Sequence, residues 1–354
     1  MTVSEKSGLL LLNKKSGLTS FDSLNVVKKA LGTGKVGHTG TLDKFASGLL
    51  VVLAGRAVKL TPWFSLCTKE YEGTIRFGIE TDTLDPEGIT VGEGPVPDRE
   101  ALEKALSLFR GEILQAPPAY SAIHVDGKRA SERARSGESV EMKRRPVTIH
   151  ALELLSWESP LARVRVCCSS GTYIRSLARD IALAAGSRAH LVALKRTQVA
   201  GFHLTSEMEE NPETPEAIMA VLRPIDKSVF EALNIPVIDV DKENMQKIIQ
   251  GKALSHILQE NINHKGHKGH EEMRDCGQKI IAEAESQGSS PKNSSLPLCA
   301  LRVREPEVRC GSSSSDSYSA GIFCGNEFIA MVERQNGNWK YGYVYAAGVD
   351  HAHP

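Results

Sequence analysis

No run of apolar residues is long enough to cross a membrane, and the opening Met1-Thr2-Val3-Ser4-Glu5-Lys6 lacks the charged-then-apolar layout of a secretion signal. These two absences point to a cytoplasmic protein. Cysteine is sparse and poorly spaced for metal chemistry: the seven residues include no Cys-x-x-Cys pair, and the closest two, Cys167 and Cys168, are chain neighbours on an apparent strand. Reduced thiols are expected, rather than a disulfide framework or a zinc site. Net charge is missing too, since 43 Lys and Arg balance 43 Asp and Glu. The balance hides an uneven distribution. Residues 110 to 200 hold 15 basic residues against 8 acidic ones, leaving 28 against 35 elsewhere. Lys128-Arg129, Arg133, Arg135, Lys143-Arg144-Arg145, Arg175, Arg179, Arg188 and Lys195-Arg196 therefore make the middle of the chain a candidate phosphate-binding region.

A complete phosphate-binding loop is also absent. Gly32, Gly37 and Thr39 have the Gly-x4-Gly-Lys-Ser/Thr spacing, but His38 stands where the lysine is required. That loop should follow a strand, whereas Ser20 to Leu31 reads as a helix with Leu24, Val27 and Leu31 at helical spacing and Gly32 as its stop. Nucleotide hydrolysis is set aside on both grounds.

What the sequence does contain is the stretch Gly37-His-Thr-Gly-Thr-Leu-Asp-Lys-Phe-Ala-Ser-Gly48, followed directly by the apolar run Leu49 to Leu53. Glycines permit tight turns and close approach of a ligand, so such a loop can present Asp43 and His38 beside a buried strand. An Asp among turn residues is equally suited to capping a helix or shaping a turn, and the local spacing alone leaves that choice open.

A chain of 354 residues suggests about two domains. Leu9 to Leu12, Leu49 to Leu53, Tyr71 to Ile79 and Arg163 to Cys167 read as strands, the last with arginines on an open face. Asp98 caps a helix through Phe109. An Asp126-Gly127 turn leads into a basic helix from about Lys128 to Arg135, and Ser170-Gly171 turns the chain into a helix from Tyr173 to Ala185. The mixture predicts an α+β domain over residues 8–230, with a mixed, largely antiparallel central sheet flanked by helices. Composition changes near Asn234. A small β-barrel-like module is expected from 232–258 plus 319–347, with strands around the Gly325-Asn326 turn and at Trp339 to Tyr345. Residues 259–318, rich in Ser, Gly, Lys, His and Glu, read as a disordered insertion. The spaced His264, His267 and His270 inside it lack the scaffold that a metal site needs.

Six segments, taken in order, resemble the TruB-type tRNA pseudouridine synthases. They are Lys14 to Ser20, Gly37 to Asp43 with Ala46-Ser47-Gly48, Lys69 to Thr83, Pro117 to Ala122, Cys168 to Arg175, and His190 to Arg196. The C-terminal module resembles a PUA-type RNA-binding domain. The resemblance implies an isomerase that turns a uridine in the TΨC loop of tRNA into pseudouridine after flipping it out of the stack. It makes Asp43 the nucleophile, attacking either ribose C1′ or uracil C6. Tyr71 becomes the stacking wall and a candidate for removing the C5 proton, and Arg175 becomes the ion partner that keeps Asp43 charged and aimed. His38 would contact the displaced nucleotide, with Tyr173 and Leu194 lining the pocket. Lys128, Arg129, Arg133, Lys143, Arg144 and Arg145, within a gripping region at 120–146, would hold the T arm through phosphate and shape contacts.

By the same resemblance no metal, no organic cofactor and no obligatory protein partner are needed, and the protein acts as a cytoplasmic monomer on tRNA. The chain also departs from the family pattern. Lys44 stands where proline is usual, which predicts a less rigid loop with activity retained; His124 replaces a common lysine and Ser131 a larger residue. Two rival readings share the motifs: a guide-RNA-dependent relative working with partner proteins, and a tRNA-folding chaperone that does not require catalysis.

Overall fold

The computed structural model describes residues 6–125, 127–138, 141–254, 257, 318–336 and 338–345. The expected insertion and its three histidines lie outside the described residues. The chain divides into two compact units, Met1–Pro224 and Ile225–Pro354.

The first unit begins with β1 (Gly8–Lys14), whose leucines alternate into the core, and α1 (Asn25–Leu31), stopped by Gly32 in the left-handed conformation at φ 58°. Next come β2 (Val36–His38), β3 (Ser47–Ala54), α2 (Thr61–Ser65) and β4 (Lys69–Phe77). A short hairpin, β5 (Ile79–Thr81) and β6 (Thr90–Glu93), precedes α3 (Arg99–Ser107). The Asp98 side chain caps α3 by accepting from the Ala101 amide at 2.8 Å, as its position predicts. After β7 (Gly111–Gln115) the small hairpin β8 (His124–Val125) and β9 (Lys128–Arg129) leads to α4 (Ala130–Arg135). The unit closes with β10 (Arg145–Glu158), β11 (Leu161–Cys168), α5 (Ile174–Ala184), β12 (Ala189–Val199), β13 (Phe202–His203) and α6 (Pro215–Val221).

The expected helix start at Lys128 is corrected: Lys128 and Arg129 pair with Val125 and His124, and the helix begins at the buried Ala130. Gly127 at φ 83° supplies the turn that folds one strand on the other, so its neighbours join a ladder before the helix can start.

The central sheet has nine strands in the order β1-β3-β12-β4-β11-β10-β7, with β2 also paired to β3 and β13 to β12. Every pairing is antiparallel except β3 with β12, where Ser47 and Gly48 lie beside Lys195 and Arg196. The mixed, largely antiparallel sheet is the one expected. Its core around α3 and α5 joins Leu42, Ala46, Tyr71, Ile75, Ile174, Leu177 and Leu194, and a second cluster packs β1 and β3 on α1 and α6 through Leu10, Leu12, Val27, Val52 and Ile218.

The second unit contains α7 (Lys227–Ala232), β14 (Val237–Asp239), α8 (Lys242–Ile249), β15 (Tyr318–Cys324), β16 (Glu327–Gln335) and β17 (Asn338–Val344). Its strands form a four-stranded sheet in chain order, with β14 parallel to β15. Gly321 permits a close approach of Phe230, whose ring carbon would stand 2.2 Å from an added Cβ.

Candidate active site

Asp43 sits at the crest of an arch between β2 and β3, and the arch is held from several sides. Ser20 Oγ accepts from the Leu42 amide at 2.8 Å and donates to the Leu42 carbonyl at 3.1 Å. The Gly17 amide donates to the Lys44 carbonyl at 2.8 Å, and Ser16 Oγ donates to the Phe45 carbonyl at 2.6 Å. The fully buried Lys14 ammonium donates to the carbonyls of Ala46 at 2.6 Å, Lys15 at 3.1 Å and Lys44 at 3.2 Å. Burial pulls the Lys14 pKa down to about 8, opposed by the charge of Asp43. Hydrogen bonds to the carbonyls of Lys44, Phe45 and Ala46 thus tether the loop directly after Asp43, without involving the Lys44 side chain. Its ammonium meets Glu87 at 3.6 Å in an exposed pair, an interaction of little worth.

Arg175, in the first turn of α5 and only 4 % exposed, lies at the centre of the site. Its Nη2 donates to Asp43 Oδ1 at 2.8 Å and to the Tyr120 carbonyl at 3.1 Å. Its Nη1 donates to the Thr83 carbonyl at 2.8 Å and to Asp85 Oδ2 at 3.4 Å. One guanidinium therefore joins two carboxylates. Asp85 is held in turn by Thr83 Oγ1 at 2.6 Å and the Glu87 amide at 3.0 Å. Burial pushes the Asp43 carboxyl above its ordinary pKa; Arg175 opposes that shift and Asp85 adds to it.

Tyr71 on β4 and Leu194 on β12 are buried and share one apolar cluster with Leu42 and Ala46 of the arch. Burial raises the Tyr71 phenol pKa, opposed by the charge of Arg196. Tyr173 caps α5, its amide and carbonyl both bound to the Gln115 side chain, and its ring lies 5.2 Å from the Arg145 guanidinium. His38 ends β2, its Nδ1 buried without a hydrogen bond, and burial lowers its pKa, helped by the charge of Arg196. Arg175 thus holds Asp43, while Tyr71 and Leu194 pack with Leu42 and Ala46, the arch residues on either side of it.

The gripping residues lie on the small hairpin, on α4, and on the segment that enters β10. Lys128, Arg129, Lys143 and Arg144 are exposed. Arg133 pairs with Glu138 at 2.7 Å, and Arg145 donates to the Gly171 carbonyl at 2.7 Å. Two arginines from the expected phosphate-binding set are corrected: Arg175 and Arg196 are 4 % and 1 % exposed, buried and bound to protein acceptors. Among the described residues, Cys67, Cys168 and Cys324 carry free thiols.

Lys14, Ser20, Asp85 and Arg196 were not singled out as site residues by the sequence. Lys14, Ser20 and Arg196 lie in segments that carried the family resemblance, but their partners are distant in the chain and no local spacing announces them. Among the described residues no cluster of His, Cys, Asp or Glu could hold a metal ion, and no helix is long and apolar enough to cross a membrane.

Residues 28–174 match the TruB family pseudouridylate synthase N-terminal domain. The chain is 47 % identical over 202 residues to a tRNA pseudouridine synthase B of Borreliella burgdorferi, covering 56 % of this chain and 72 % of that protein. It is 41 % identical over 254 residues to the protein of the same name from Aromatoleum aromaticum, covering 70 % and 81 %. Among solved structures, an H/ACA RNP bound to a substrate RNA containing 2′-deoxyuridine aligns with a TM-score of 0.58 at 17 % identity, over 97 % of this chain and 86 % of that one. A Cbf5-Nop10-Gar1 complex aligns with a TM-score of 0.53 at 24 % identity, over 72 % and 70 %. These two likenesses establish the shared fold.

Proposed function

The chain belongs to the TruB family of pseudouridylate synthases, and from that premise we propose that it isomerises a uridine in the TΨC loop of tRNA, with Asp43 as the nucleophile. The observation that carries this reading is the Arg175 guanidinium, buried and bound to Asp43 at 2.8 Å with Asp85 on its other side. A buried carboxyl tends to hold its proton, and the arginine is the group that favours the charged, nucleophilic form. Tyr71 beside it supplies a flat wall for a flipped base, and Leu194 an apolar lining.

In the proposed reaction Asp43 forms a covalent bond to the nucleotide, at ribose C1′ or uracil C6. The N1–C1′ bond breaks, the base turns, C5 bonds to C1′ and Asp43 is released; the C5 proton leaves, with Tyr71 or a water as its acceptor, and N1 takes up a proton. Product and substrate have the same oxidation state, so the reaction calls for no redox cofactor. The exposed Lys128, Arg129, Lys143 and Arg144 support a grip on tRNA phosphates, with Arg133 and Arg145 shaping the same region. In this reading the second unit is a PUA-like RNA-binding module, and the protein works in the cytoplasm as a monomer without a protein partner.

The test is to incubate the protein with an unmodified tRNA transcript and map pseudouridine. Product at the TΨC loop from wild type, and none from Asp43→Asn, is the expected result. No product from wild type despite tRNA binding would leave a binding or folding role, and product only on addition of a guide RNA would support the guided class.

A further inference from the structure

Arg196 lies on β12, two residues after Leu194. It is 1 % exposed, and a buried guanidinium is retained only where acceptors surround it. Its acceptors are telling. Nε donates to the Leu49 carbonyl at 2.7 Å and Nη2 to the Gly40 carbonyl at 3.1 Å, so its fork spans the two feet of the arch that carries Asp43. Its backbone lies beside Gly48 in the parallel pairing, so close that a Cβ on Gly48 would stand 2.3 Å from the Arg196 carbonyl oxygen. An added Cβ on Gly40 would likewise meet its Nη1 at 3.4 Å. Across the sheet on the other side, Arg196 is the direct partner of Tyr71 in the β12 to β4 register. Direct antiparallel partners project to the same face, with Cβ atoms about 5 Å apart.

The geometry points to Arg196 as a positioning residue that joins the Tyr71 strand to the Asp43 arch, by its place opposite Tyr71 and its bonds to two arch carbonyls, fixing the distance between stacking wall and nucleophile. This role rests on the pseudouridine synthase reading above. Arginine suits it because a planar fork can serve the Leu49 and Gly40 carbonyls at once while its cation stands beside Tyr71, which a lysine ammonium on a flexible stem cannot do with the same geometry. Its cation also bears on the phenol directly, opposing the rise that burial imposes on Tyr71.

The decisive experiment combines single-turnover pseudouridine formation with a titration of Tyr71. Wild type, Arg196→Lys and Arg196→Met are compared for rate and for tRNA affinity. Tyr71 is replaced by 3,5-difluorotyrosine, which ionises in an accessible range, and followed by fluorine resonance. Expected are a rate reduced at least tenfold in Arg196→Met with tRNA affinity within about twofold of wild type, partial recovery in Arg196→Lys, and a difluorophenol that ionises at higher pH once the cation is gone. A merely structural loss that opens the core to water would move the ionisation to lower pH. A downward or absent shift, or an unchanged rate in Arg196→Met, would overturn the proposal. If Arg196→Met does not fold, Arg196→Lys decides alone: a wild-type rate with an unmoved phenol rejects the role. Absence of pseudouridine from wild type would refute the parent reading instead, and that control is run first.

Discussion

Arg175 divides its guanidinium between Asp43 and Asp85, and the division makes the two carboxylates unequal partners. The Asp43 side chain is 33 % exposed and free to meet a ligand, whereas that of Asp85 is 8 % exposed and locked by Thr83. Removing the Asp85 charge frees Arg175 to swing wholly toward Asp43 or away from it. Asp85→Asn is therefore expected to bind tRNA normally while losing about 100-fold in single-turnover rate, since an ångström of misplacement can cost that much. The raised pKa of Asp43 has a second consequence. A carboxyl whose folded pKa lies above its unfolded value contributes stability below the ordinary carboxylate range, and that contribution is lost as pH rises through the folded value. At neutral pH the ionised Asp43 is thus a burden on the fold. Asp43→Asn, with Arg175 still paired to Asp85, should melt about 2 °C higher than wild type at pH 7 and lose that advantage near pH 3 in thermal scans.

At the scale of elements, the arch from Gly37 to Gly48 is shaped by partners far away in the chain. Ser20→Ala removes both hydrogen bonds to Leu42 and leaves a buried amide unsatisfied. It should cost about 1–3 kcal/mol in denaturant unfolding and slow the reaction, because Leu42 precedes the nucleophile. Gly48→Ala should be more damaging, since the new Cβ would collide with the Arg196 backbone and the glycine stands at φ 106°. Strands and helices were largely legible: alternation marked β4 and β11, Asp98 marked the start of α3, and Gly32 marked the end of α1. The cationic side chains were less so. Arg175 and Arg196 looked like members of a basic surface because a sequence does not distinguish a buried cation with acceptors from a solvated one. Likewise the gripping helix began two residues late, because the pairing of Lys128 and Arg129 with their neighbours depends on a turn that outcompetes helical propensity.

For the whole molecule, a net charge of zero conceals the basic stretch within residues 110 to 200. If Lys143 and Arg144 contact phosphates, tRNA affinity should fall linearly with the logarithm of salt concentration, and Lys143→Ala with Arg144→Ala should lessen that slope by up to about 2. A slope unchanged in the double variant would place the phosphate contacts elsewhere. The wider plan of the first unit also sets an order of events. The parallel pairing of β12 with β3 braces the Asp43 arch with residues made much later, as in the bond between Arg196 and Leu49, 147 positions apart. A ribosome must therefore translate most of this unit before the pocket exists. Nascent chains arrested before Ala189 should leave the arch open to proteases, and chains arrested well beyond His203 should protect it. The parallel seam between β3 and β12 thus dates the site within synthesis: Asp43 emerges early, but Leu194 and Arg196 exist only once β12 has been made.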